Sequence, residues 1–532
     1  MYSEEMLQSV RRVEAARAAN MGSEPSRMTA AEKEALLKEF HPDYRDTGFG
    51  ALKAGVSAGD KAPTELLELL EGKSRVLGLN LDLNNPDYDV DVLVIGGGGA
   101  GSSAAIEAHE AGASVMVVTK LRLGDANTMM AEGGIQAADK PNDSPAQHYL
   151  DAFGGGHYAA VPELLKKLVM DGPGAVKWLN GLGVEFDKDE DGTMVTTHGG
   201  GTSRKRMHAA ADYSGAEIMR TLRDEVLNRE IPVVDFTAAI ELLLDTNGHA
   251  AGAVLLNMET GEHRVARAKT VVLATGGAGR LHYQGFPTSN HYGATADGLA
   301  LGYRAGVPLL YADTLQYHPT GAAFPLQIYG ALVTEKVRSM GAMLVNARGE
   351  AFMHPLETRD VSAASIIREC KERGNGIKTP EGSAVWLDTP MIDLIHGAGT
   401  LEKRLPGMLR MFMKYDIDMR VVPILVYPTL HYQNGGLRID ARGETAVRGL
   451  FVAGEAVGGI HGRNRLMGNS LLDIIVFGRT AGKSAASDSR GAELAELSLG
   501  HVRKYMDELE AAGAQTGVES PKLLPHYANK RP

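Results

Sequence analysis

The chain has 532 residues, an apolar fraction of 44% and a formal net charge of −11, which is typical of a globular protein with more than one domain. The acidic balance, without a basic tail or a dense stripe of Lys and Arg, argues against nucleic-acid binding. The single cysteine, Cys370, excludes an internal disulfide, a cysteine-held iron–sulfur cluster and a c-type haem attachment, and we expect no metal site. No stretch reaches the roughly 18 apolar residues of a membrane-spanning helix, and the acidic N-terminus lacks a secretory apolar segment. We therefore expect a cytoplasmic protein that does not insert into a membrane.

Residues 1–89 differ in composition from the rest of the chain, because they are polar and mostly helical in pattern. Thr29 and Glu32 have the spacing of a capping box, and residues 64–70 give a short apolar helix pattern after Pro63. One interpretation is a solvated extension. The other is a docking arm for another subunit, because the leucines in residues 66–70 would otherwise leave apolar surface exposed.

From residue 91 the pattern changes to short apolar strands and glycine turns. A predicted strand at residues 92–95 leads into a G-x-G-x-x-G motif formed by Gly96, Gly98 and Gly101. The first glycine permits the tight turn, the second lets the backbone approach a pyrophosphate, and the third allows close helix packing, with the helix N-terminus directed at the phosphates. About twenty residues further on, where an acidic residue would hold an adenosine ribose, the second strand ends in Thr119 and Lys120. The motif therefore predicts a dinucleotide site. The lack of an acidic residue at the end of the second strand argues against a free nicotinamide cofactor.

Two later segments point to the same cofactor. The predicted strand at residues 270–273 runs into a second glycine turn at residues 274–279, and one dinucleotide with two turns around it suggests FAD. Near the end of the chain, the run at residues 454–473 places Arg465 among glycines. A cation beside backbone that can approach a cofactor suggests a flavin site facing an anionic substrate.

Polar side chains that suit anion chemistry lie between these segments. They occur in residues 316–320 (Gln-Tyr-His-Pro-Thr), 333–338 (Val-Thr-Glu-Lys-Val-Arg), 357–360 (Glu-Thr-Arg-Asp) and 431–436 (His-Tyr-Gln-Asn-Gly-Gly). Each alone has an ordinary interpretation, since a lone histidine is usually structural and Glu335 and Arg338 have the spacing of helix-surface partners. Their joint occurrence between two flavin-type segments favours a single site.

At residues 89–482 the sequence resembles the flavoprotein subunits of the succinate dehydrogenase and fumarate reductase family, which also includes L-aspartate oxidases. The resemblance is carried by the glycine motif, the polar segments above, the run from Asn464 onward, and residues 131–134 (Ala-Glu-Gly-Gly) and 294–298 (Ala-Thr-Ala-Asp-Gly). It implies an α/β fold in which a Rossmann-like FAD-binding domain is interrupted by an α+β capping domain. The expected divisions are a helical N-terminal extension at 1–89, the FAD-binding domain at 90–317 and 430–485, the capping domain at 318–429, and a short helical C-terminal segment at 486–532.

The resemblance also implies roles for individual residues. The dicarboxylate would be held by His318 and Thr334 on one side and by His431 and Arg465 on the other. Arg359 would donate the proton and would be resupplied through Glu335 and Arg338. The FAD contacts would be Gly96, Gly98, Gly99, Ala100, Gly101, Thr119, Lys120, Thr128, Gly133, Gly134, Asp297, Glu455, Ser470 and Leu471.

The sequence differs from the membrane-bound members of the family at the residue that carries their flavin. Those members attach the flavin covalently to the histidine of an Arg-Ser-His-Thr segment, whereas the aligned residues 125–128 place Asn127 there. We therefore expect non-covalent FAD. Covalent attachment accompanies succinate oxidation in this family, so the departure favours fumarate reduction, and Glu132 favours it too, since succinate dehydrogenases tend to have Gln.

A second departure concerns partners. The family's C-terminal helical domain is longer than residues 481–532 allow, which leaves open what docks at that end. Because this chain encodes no redox centre besides the flavin, we expect an iron–sulfur partner subunit to supply electrons, and such partners could bring the protein to a membrane.

Three hypotheses follow. The first is a flavoprotein that reduces fumarate to succinate, reversibly in principle. The second is an L-aspartate oxidase, although residues 468–479 are more typical of the reductase and dehydrogenase branch. The third is a flavin electron-transfer subunit of a larger complex, whose dicarboxylate site is vestigial or serves another unsaturated acid. The sequence leaves open the electron donor, the direction of catalysis, the oligomeric state and the role of residues 1–89.

Overall fold

The structure, a computed structural model, describes residues 2–514 and 517–527. Its largest sheet has seven strands, and the central ones are parallel and buried on both faces, which explains their continuous apolar sequences. In spatial order the strands are Thr237–Leu244, Ala250–Asn257, His263–Leu273, Tyr88–Ile95, Val115–Val118 and Val233–Val234, with Leu450–Val452 also pairing with His263–Leu273.

Two helices pack closely against each other and against this sheet. Gly99–Glu110 follows the first glycine turn, and Asn469–Ser489 lies across it. The close approach requires small residues, because a β-carbon at Gly478 or Gly482 would lie 2.6 Å or 2.2 Å from a backbone oxygen of the facing helix. The remaining helices of this part of the molecule are Pro145–Gly155, Pro162–Gly181, Ser214–Asn228, Asp297–Arg304 and Gly500–Ala511.

The capping part has its own five-stranded sheet and its own apolar core, in which Trp386 and Phe412 are fully buried. The expected boundaries at 318 and 429 fall within two strands of that sheet, which are paired so that His318 lies opposite Thr429. The strands are Leu315–Ala322, Met343–Val345, Ile377–Thr379, Gly382–Asp388 and Ile424–Gln433, and the helices are Lys336–Ser339, Arg359–Lys371, Met391–His396, Thr400–Arg404 and Pro406–Met413. The predicted α/β fold is confirmed.

The N-terminal segment packs along the cap and the FAD-binding part. Helix Glu4–Gly22 buries Met6, Val10 and Val13 in the apolar core of the cap. Helix Ala30–Phe40 begins at the predicted capping box of Thr29 and Glu32 and packs on helix Arg359–Lys371.

The docking-arm hypothesis requires the leucines in residues 66–70 to be exposed, and the fold buries most of them. In helix Thr64–Leu70, Leu66, Leu69 and Leu70 are 1%, 3% and 1% exposed, and they belong to the main core of this chain. The premise that this leucine cluster needs a partner subunit to cover it is therefore wrong.

Short strands complete the fold. The pairs are Phe49–Ala51 with Lys61–Pro63, Lys73–Ser74 with Glu519–Ser520, Leu309–Leu310 with Gly436–Leu437, and Met207–His208 with both Ile135–Gln136 and Thr196–Thr197. In the described part of the chain, no helix combines the length and the apolar character needed to cross a membrane.

Candidate active site

The two predicted glycine turns meet at the carboxyl ends of adjacent parallel strands. A β-carbon at Gly96, whose φ is +121°, would lie 2.2 Å from the carbonyl oxygen of Ala274 in the second turn, and one at Gly101 would lie 1.9 Å from the carbonyl oxygen of Gly96. Only glycine allows these approaches. Helix Gly99–Glu110 begins at this point, so the N–H groups of its first turn lie at the space in front of the turns. The N–H of Gly99 donates to Oγ1 of Thr128 at 3.1 Å.

That space is an open cleft with an empty volume, open solvent included, of about 1300 Å³. A glycine-walled cleft at a helix N-terminus suits the pyrophosphate of a dinucleotide such as FAD. The predicted cofactor residues that line it are Gly96, Gly98, Gly99, Ala100, Thr119, Lys120, Thr128, Asp297, Glu455, Ser470 and Leu471.

Three predicted cofactor residues lie outside the cleft lining. Gly101 packs on the first turn as described above. A β-carbon at Gly133 would lie 2.4 Å from the side chain of Met467, and one at Gly134 would lie 2.3 Å from the carbonyl oxygen of His208. These two glycines therefore allow neighbouring segments to pack closely, and the structure does not place them on the cleft wall.

The C-terminal segment contacts two residues of the cleft wall, Lys120 and Asp297. Nζ of Lys120 donates to Oγ1 of Thr295 at 2.7 Å and to the carbonyl oxygen of Leu523 at 2.6 Å, and it pairs with Asp297. The N–H of Leu523 donates to Asp297 at 3.1 Å. Sequence reasoning missed Thr295 and Leu523, and no local signal marks Leu523, since its contacts are with residues far away in the chain.

The side-chain amide of Asn127 is fully used within the cleft wall. Its Nδ2 donates to Oδ1 of Asn290 at 2.7 Å and to Oε2 of Glu455 at 3.1 Å, and its Oδ1 accepts the N–H of His291 at 2.6 Å. Burial raises the pKa of Glu455. An amide held in this way presents no nucleophile to a flavin.

Two buried arginines converge on one neutral acceptor. Arg359 is the first residue of helix Arg359–Lys371. Its Nη1 donates to Oε1 of Gln316 at 3.0 Å, and Nη2 of Arg465 donates to the same oxygen at 2.8 Å. The carboxamide holds both side chains in place without neutralising either charge.

Gln316 is the functional residue that sequence reasoning passed over. Its Nε2 donates to Oδ1 of Asn464 at 3.0 Å and to the carbonyl oxygen of Arg465 at 2.6 Å. It precedes His318 by two positions in strand Leu315–Ala322. The period of two along a strand could have marked it, because alternate residues tend to share a face.

Glu335 joins Arg359 to the third predicted catalytic residue. Its Oε2 accepts from Nε of Arg359 at 2.8 Å and lies 3.4 Å from Nη2 of Arg338, and its Oε1 accepts the N–H of Gly200 at 2.5 Å. Burial alone would raise the pKa of Glu335, but the charges of Arg359 and Arg338 outweigh it and hold that pKa below its usual value. Burial lowers the pKa of Arg338. The structure thus brings the three residues into one buried ionic chain.

The two predicted histidines lie against each other, with ring centroids 5.1 Å apart. Nδ1 of His431 lies 2.7 Å from Oγ of Ser289, and Nδ1 of His318 accepts the N–H of Thr320 at 3.3 Å. Burial, with the charge of Arg359 next in importance, lowers the pKa of both histidines well below its usual range. Both are therefore neutral hydrogen-bonding groups, and His431 also lines the cofactor cleft.

Thr334 is buried at the start of the segment that carries Glu335, and its Oγ1 accepts the N–H of Lys336 at 3.4 Å. Its own N–H donates to Glu132, whose pKa is raised by burial and next by the charge of Asp212. Glu132 is thus placed beside a predicted substrate ligand.

Arg465 carries the least compensated charge of the cluster. Its guanidinium lies 4.3 Å above the ring of Tyr432, and its Nε has no hydrogen-bond partner among the described residues. Burial and then the charge of Arg359 lower its pKa to about 9. Two arginines that share only a neutral acceptor, beside neutral imidazoles, form a site suited to an anion with two carboxylates.

Comparisons with known proteins identify the family of this chain. Residues 91–471 match the FAD binding domain family. The chain is 38% identical to one of the subunits of the fumarate reductase (CoM/CoB) of Methanothermobacter marburgensis over 417 residues, 76% of this chain and 73% of the relative. It is 37% identical to the L-aspartate oxidase of Streptomyces coelicolor over 404 residues, 73% of this chain and 67% of that enzyme.

A solved structure of a mutant E. coli quinol fumarate reductase covers 80% of this chain and 74% of its own, with a TM-score of 0.72 and 32% identity. The sequence and the fold thus agree on one group of enzymes. The chain belongs to the FAD binding domain family, as an FAD-dependent oxidoreductase of the group that contains the fumarate reductase and succinate dehydrogenase flavoproteins and L-aspartate oxidase.

Proposed function

We propose that this chain reduces fumarate to succinate, with FAD as the hydride source and Arg359 as the proton donor. The observation that carries the proposal is the shared hydrogen bonding of Arg359 and Arg465 to Oε1 of Gln316. This arrangement holds two cations side by side. The neutral His318 and His431 lie against each other, and His431 also lines the cofactor cleft.

Substrate binding follows from the charges and donors of the site. Arg465 is suited to grip one carboxylate bidentately, because two parallel N–H bonds match the geometry of a carboxylate. His318, His431 and Thr334 supply directional hydrogen bonds without comparable charge. The dicarboxylate is thereby oriented by the residues that surround it.

The proton step depends on Arg359. When bound, FAD supplies a hydride to one alkene carbon of the substrate. Negative charge then develops on the neighbouring carbon and its carboxylate, where Arg359 and Arg465 favour the transition state over the ground state. A guanidinium is a very weak acid, but the carbanion-like carbon is far more basic than water, so Arg359 can protonate it.

Glu335 and Arg338 return the proton to Arg359. The 2.8 Å hydrogen bond from Nε of Arg359 to Glu335 and the 3.4 Å contact from Glu335 to Arg338 give a continuous route. Because the pKa of Glu335 stays low in spite of burial, the carboxylate is ionised, and a proton taken from the outer arginine would be passed on readily to Arg359. The same charge holds the Arg359 side chain in place.

The direction of catalysis and the partner belong to the same proposal. Asn127 and Glu132 favour fumarate reduction by non-covalent FAD, and Cys370 alone cannot hold an iron–sulfur cluster. Relatives of this chain are named as subunits, which supports a partner. We assign the electron supply to a partner that carries iron–sulfur clusters, and we place the protein in the cytoplasm, in contact with a membrane only through such partners.

The test uses the purified chain under anaerobic conditions. Reduced viologen dye should drive fumarate reduction, whereas succinate oxidation should be slow and NADH should be inactive as a donor. Oxygen-dependent oxidation of L-aspartate, with little dye-driven fumarate reduction, would instead support the L-aspartate oxidase alternative. If neither activity is found with full FAD content, the chain is an electron-transfer component or acts on another unsaturated acid.

A further inference from the structure

A second cavity lies where the N-terminal segment meets the body of the chain, and we call it the arm cavity. Its empty volume, with the open solvent in it, is about 620 Å³. None of its lining residues lines the cofactor cleft. The lining residues that matter here are His41, Asp43 and Lys61 from the N-terminal segment and His157, Asp360 and Arg463 from the body.

The ionised carboxylates of the cavity already have partners. Asp360 lies 2.6 Å from Nε2 of His157 and accepts from Nδ2 of Asn464 at 3.2 Å. Nη2 of Arg463 donates to Asp313 at 2.7 Å. Burial alone would raise the pKa of Asp360, but the hydrogen bond from His157 lowers it to about 2. These carboxylates therefore need no added cation.

Donors in the same cavity are without partners among the described residues. Nδ1 of His41 accepts the N–H of Asp43 at 3.3 Å, which puts the proton on Nε2, and that atom has no hydrogen-bond partner. Oδ1 of Asp43 has none either, and burial raises the pKa of this carboxyl, which favours its neutral form. The ammonium of Lys61 lies 4.2 Å above the ring of Phe49 and has no ion-pair partner in the described part of the chain.

The charges of the cavity favour a singly charged anion. Lys61 and Arg463 carry positive charges, and the hydrogen bond to Asp360 raises the pKa of His157, which favours its imidazolium form. These groups face the carboxylates of Asp360 and Asp313. With His157 protonated and Asp43 neutral, as the raised pKa of each favours, the excess is one positive charge. A phosphate group with roughly 1.5–2 negative charges would be repelled by the two carboxylates, whereas a carboxylate matches both the charge and the donors.

Two further observations concern what forms the cavity. The residues of the N-terminal segment that line it lie outside residues 91–471, which match the family, whereas His157, Asp360 and Arg463 lie inside them. The described residues also contain no group of three or more side chains suited to hold a metal ion. We propose that the arm cavity binds a small monocarboxylate anion at a site separate from the dicarboxylate site of the proposed function.

The test is calorimetric titration of the FAD-loaded full chain with sodium acetate at neutral pH, and with inorganic phosphate in parallel. Wild-type protein should bind one acetate in the arm cavity, and Arg465→Ala, which removes the dicarboxylate clamp, should retain that binding. Lys61→Gln should weaken it about fivefold. Lys53→Gln, at an exposed lysine of the same segment that does not line the cavity, is the matched control and should bind as the wild type does.

The second cavity variant is His157→Gln, which should weaken acetate binding about tenfold, because it removes a charge-assisted donor. Absence of acetate binding in the wild type would overturn the proposal. Equal acetate affinities of Lys61→Gln and Lys53→Gln would overturn it too. Loss of acetate binding in Arg465→Ala would also overturn it, because that result would place acetate in the dicarboxylate site. Tighter binding of phosphate than of acetate would refute the monocarboxylate assignment. Since binding alone is measured, these outcomes do not depend on fumarate reduction.

Discussion

Nη1 of Arg359 donates a 3.0 Å hydrogen bond to the side-chain oxygen of Gln316. The same oxygen accepts from Arg465, so a neutral amide fixes the positions of both the predicted proton donor and the predicted carboxylate clamp. A carboxylate in this place would hold the arginines equally well, but it would cancel the charge that the substrate needs. The amide is therefore an important part of the anion site.

Gln316→Glu should impair substrate binding more than folding. The new carboxylate would pair with both arginines and compete with the dicarboxylate, so we expect the KM for fumarate to rise by about tenfold or more at unchanged FAD content. The measurement is dye-linked fumarate reduction across substrate concentrations. Gln327→Glu, at an exposed position of the cap, is the control for added charge, and an unchanged KM in Gln316→Glu would remove Gln316 from the site.

Arg359→Lys should lower fumarate turnover by about 10²-fold or more, because an ammonium cannot keep the contacts to both Glu335 and Gln316 and general-acid steps contribute about that much. FAD content should stay normal. Arg348→Lys, at an exposed arginine of the cap, should leave turnover unchanged. Nearly native turnover of Arg359→Lys would exclude Arg359 as the proton donor.

FAD should be released completely when the protein is denatured with acid. Asn127 stands where a covalent link would need a nucleophile, and its amide is bound to Asn290, Glu455 and His291. The measurement is the flavin absorbance of the supernatant and of the precipitated polypeptide, with native protein retained on a filter as the control. Yellow colour on the washed precipitate would contradict this expectation.

The kcat/KM for fumarate should fall as the pH rises through about 9. Burial and Arg359 lower the pKa of Arg465 to about 9, so in the free protein the positive charge is lost above that pH and the dianion loses its clamp. Bound substrate favours the charged form, so kcat should fall at a higher pH than kcat/KM. A kcat/KM that stays constant to pH 10, in protein that keeps its FAD, would show that Arg465 does not titrate in this range.

Arg17→Ala should destabilise the cap. Arg17 donates three hydrogen bonds to Asp388 at 3.1 Å, 2.9 Å and 2.8 Å, and the Asp388 side chain is fully buried. Loss of the partner leaves a buried carboxylate, at a cost of about 1–3 kcal/mol, which should lower the thermal midpoint. Arg11→Ala breaks only an exposed pair with Glu4, so its midpoint should match the wild type; equal midpoints in both variants would contradict the expected role of the N-terminal helix.

The cofactor cleft could be predicted from the sequence because its parts are local. A strand, a glycine turn and a helix start occupy residues 88–110 without a break, and the constraints on Gly96, Gly98 and Gly101 act within that unit. The same holds for the second turn after strand His263–Leu273. The FAD contacts of Gly133 and Gly134 stay predictions. Whether a glycine faces a ligand or a neighbouring segment depends on residues remote in the chain, here His208 and Met467.

The sequence by itself determined the fold class, the FAD site and the residue types of the anion site, since each rests on short-range pattern or on a motif. Only the tertiary structure decided that Gln316 links Arg359 to Arg465 and that Leu523 binds Lys120 of the cleft wall. It also decided that Leu66, Leu69 and Leu70 are covered by this chain itself. The physical reason is that these contacts join residues between roughly forty and four hundred positions apart. Burial and pairing at such separations follow from the packing of the whole chain, and no local periodicity records them.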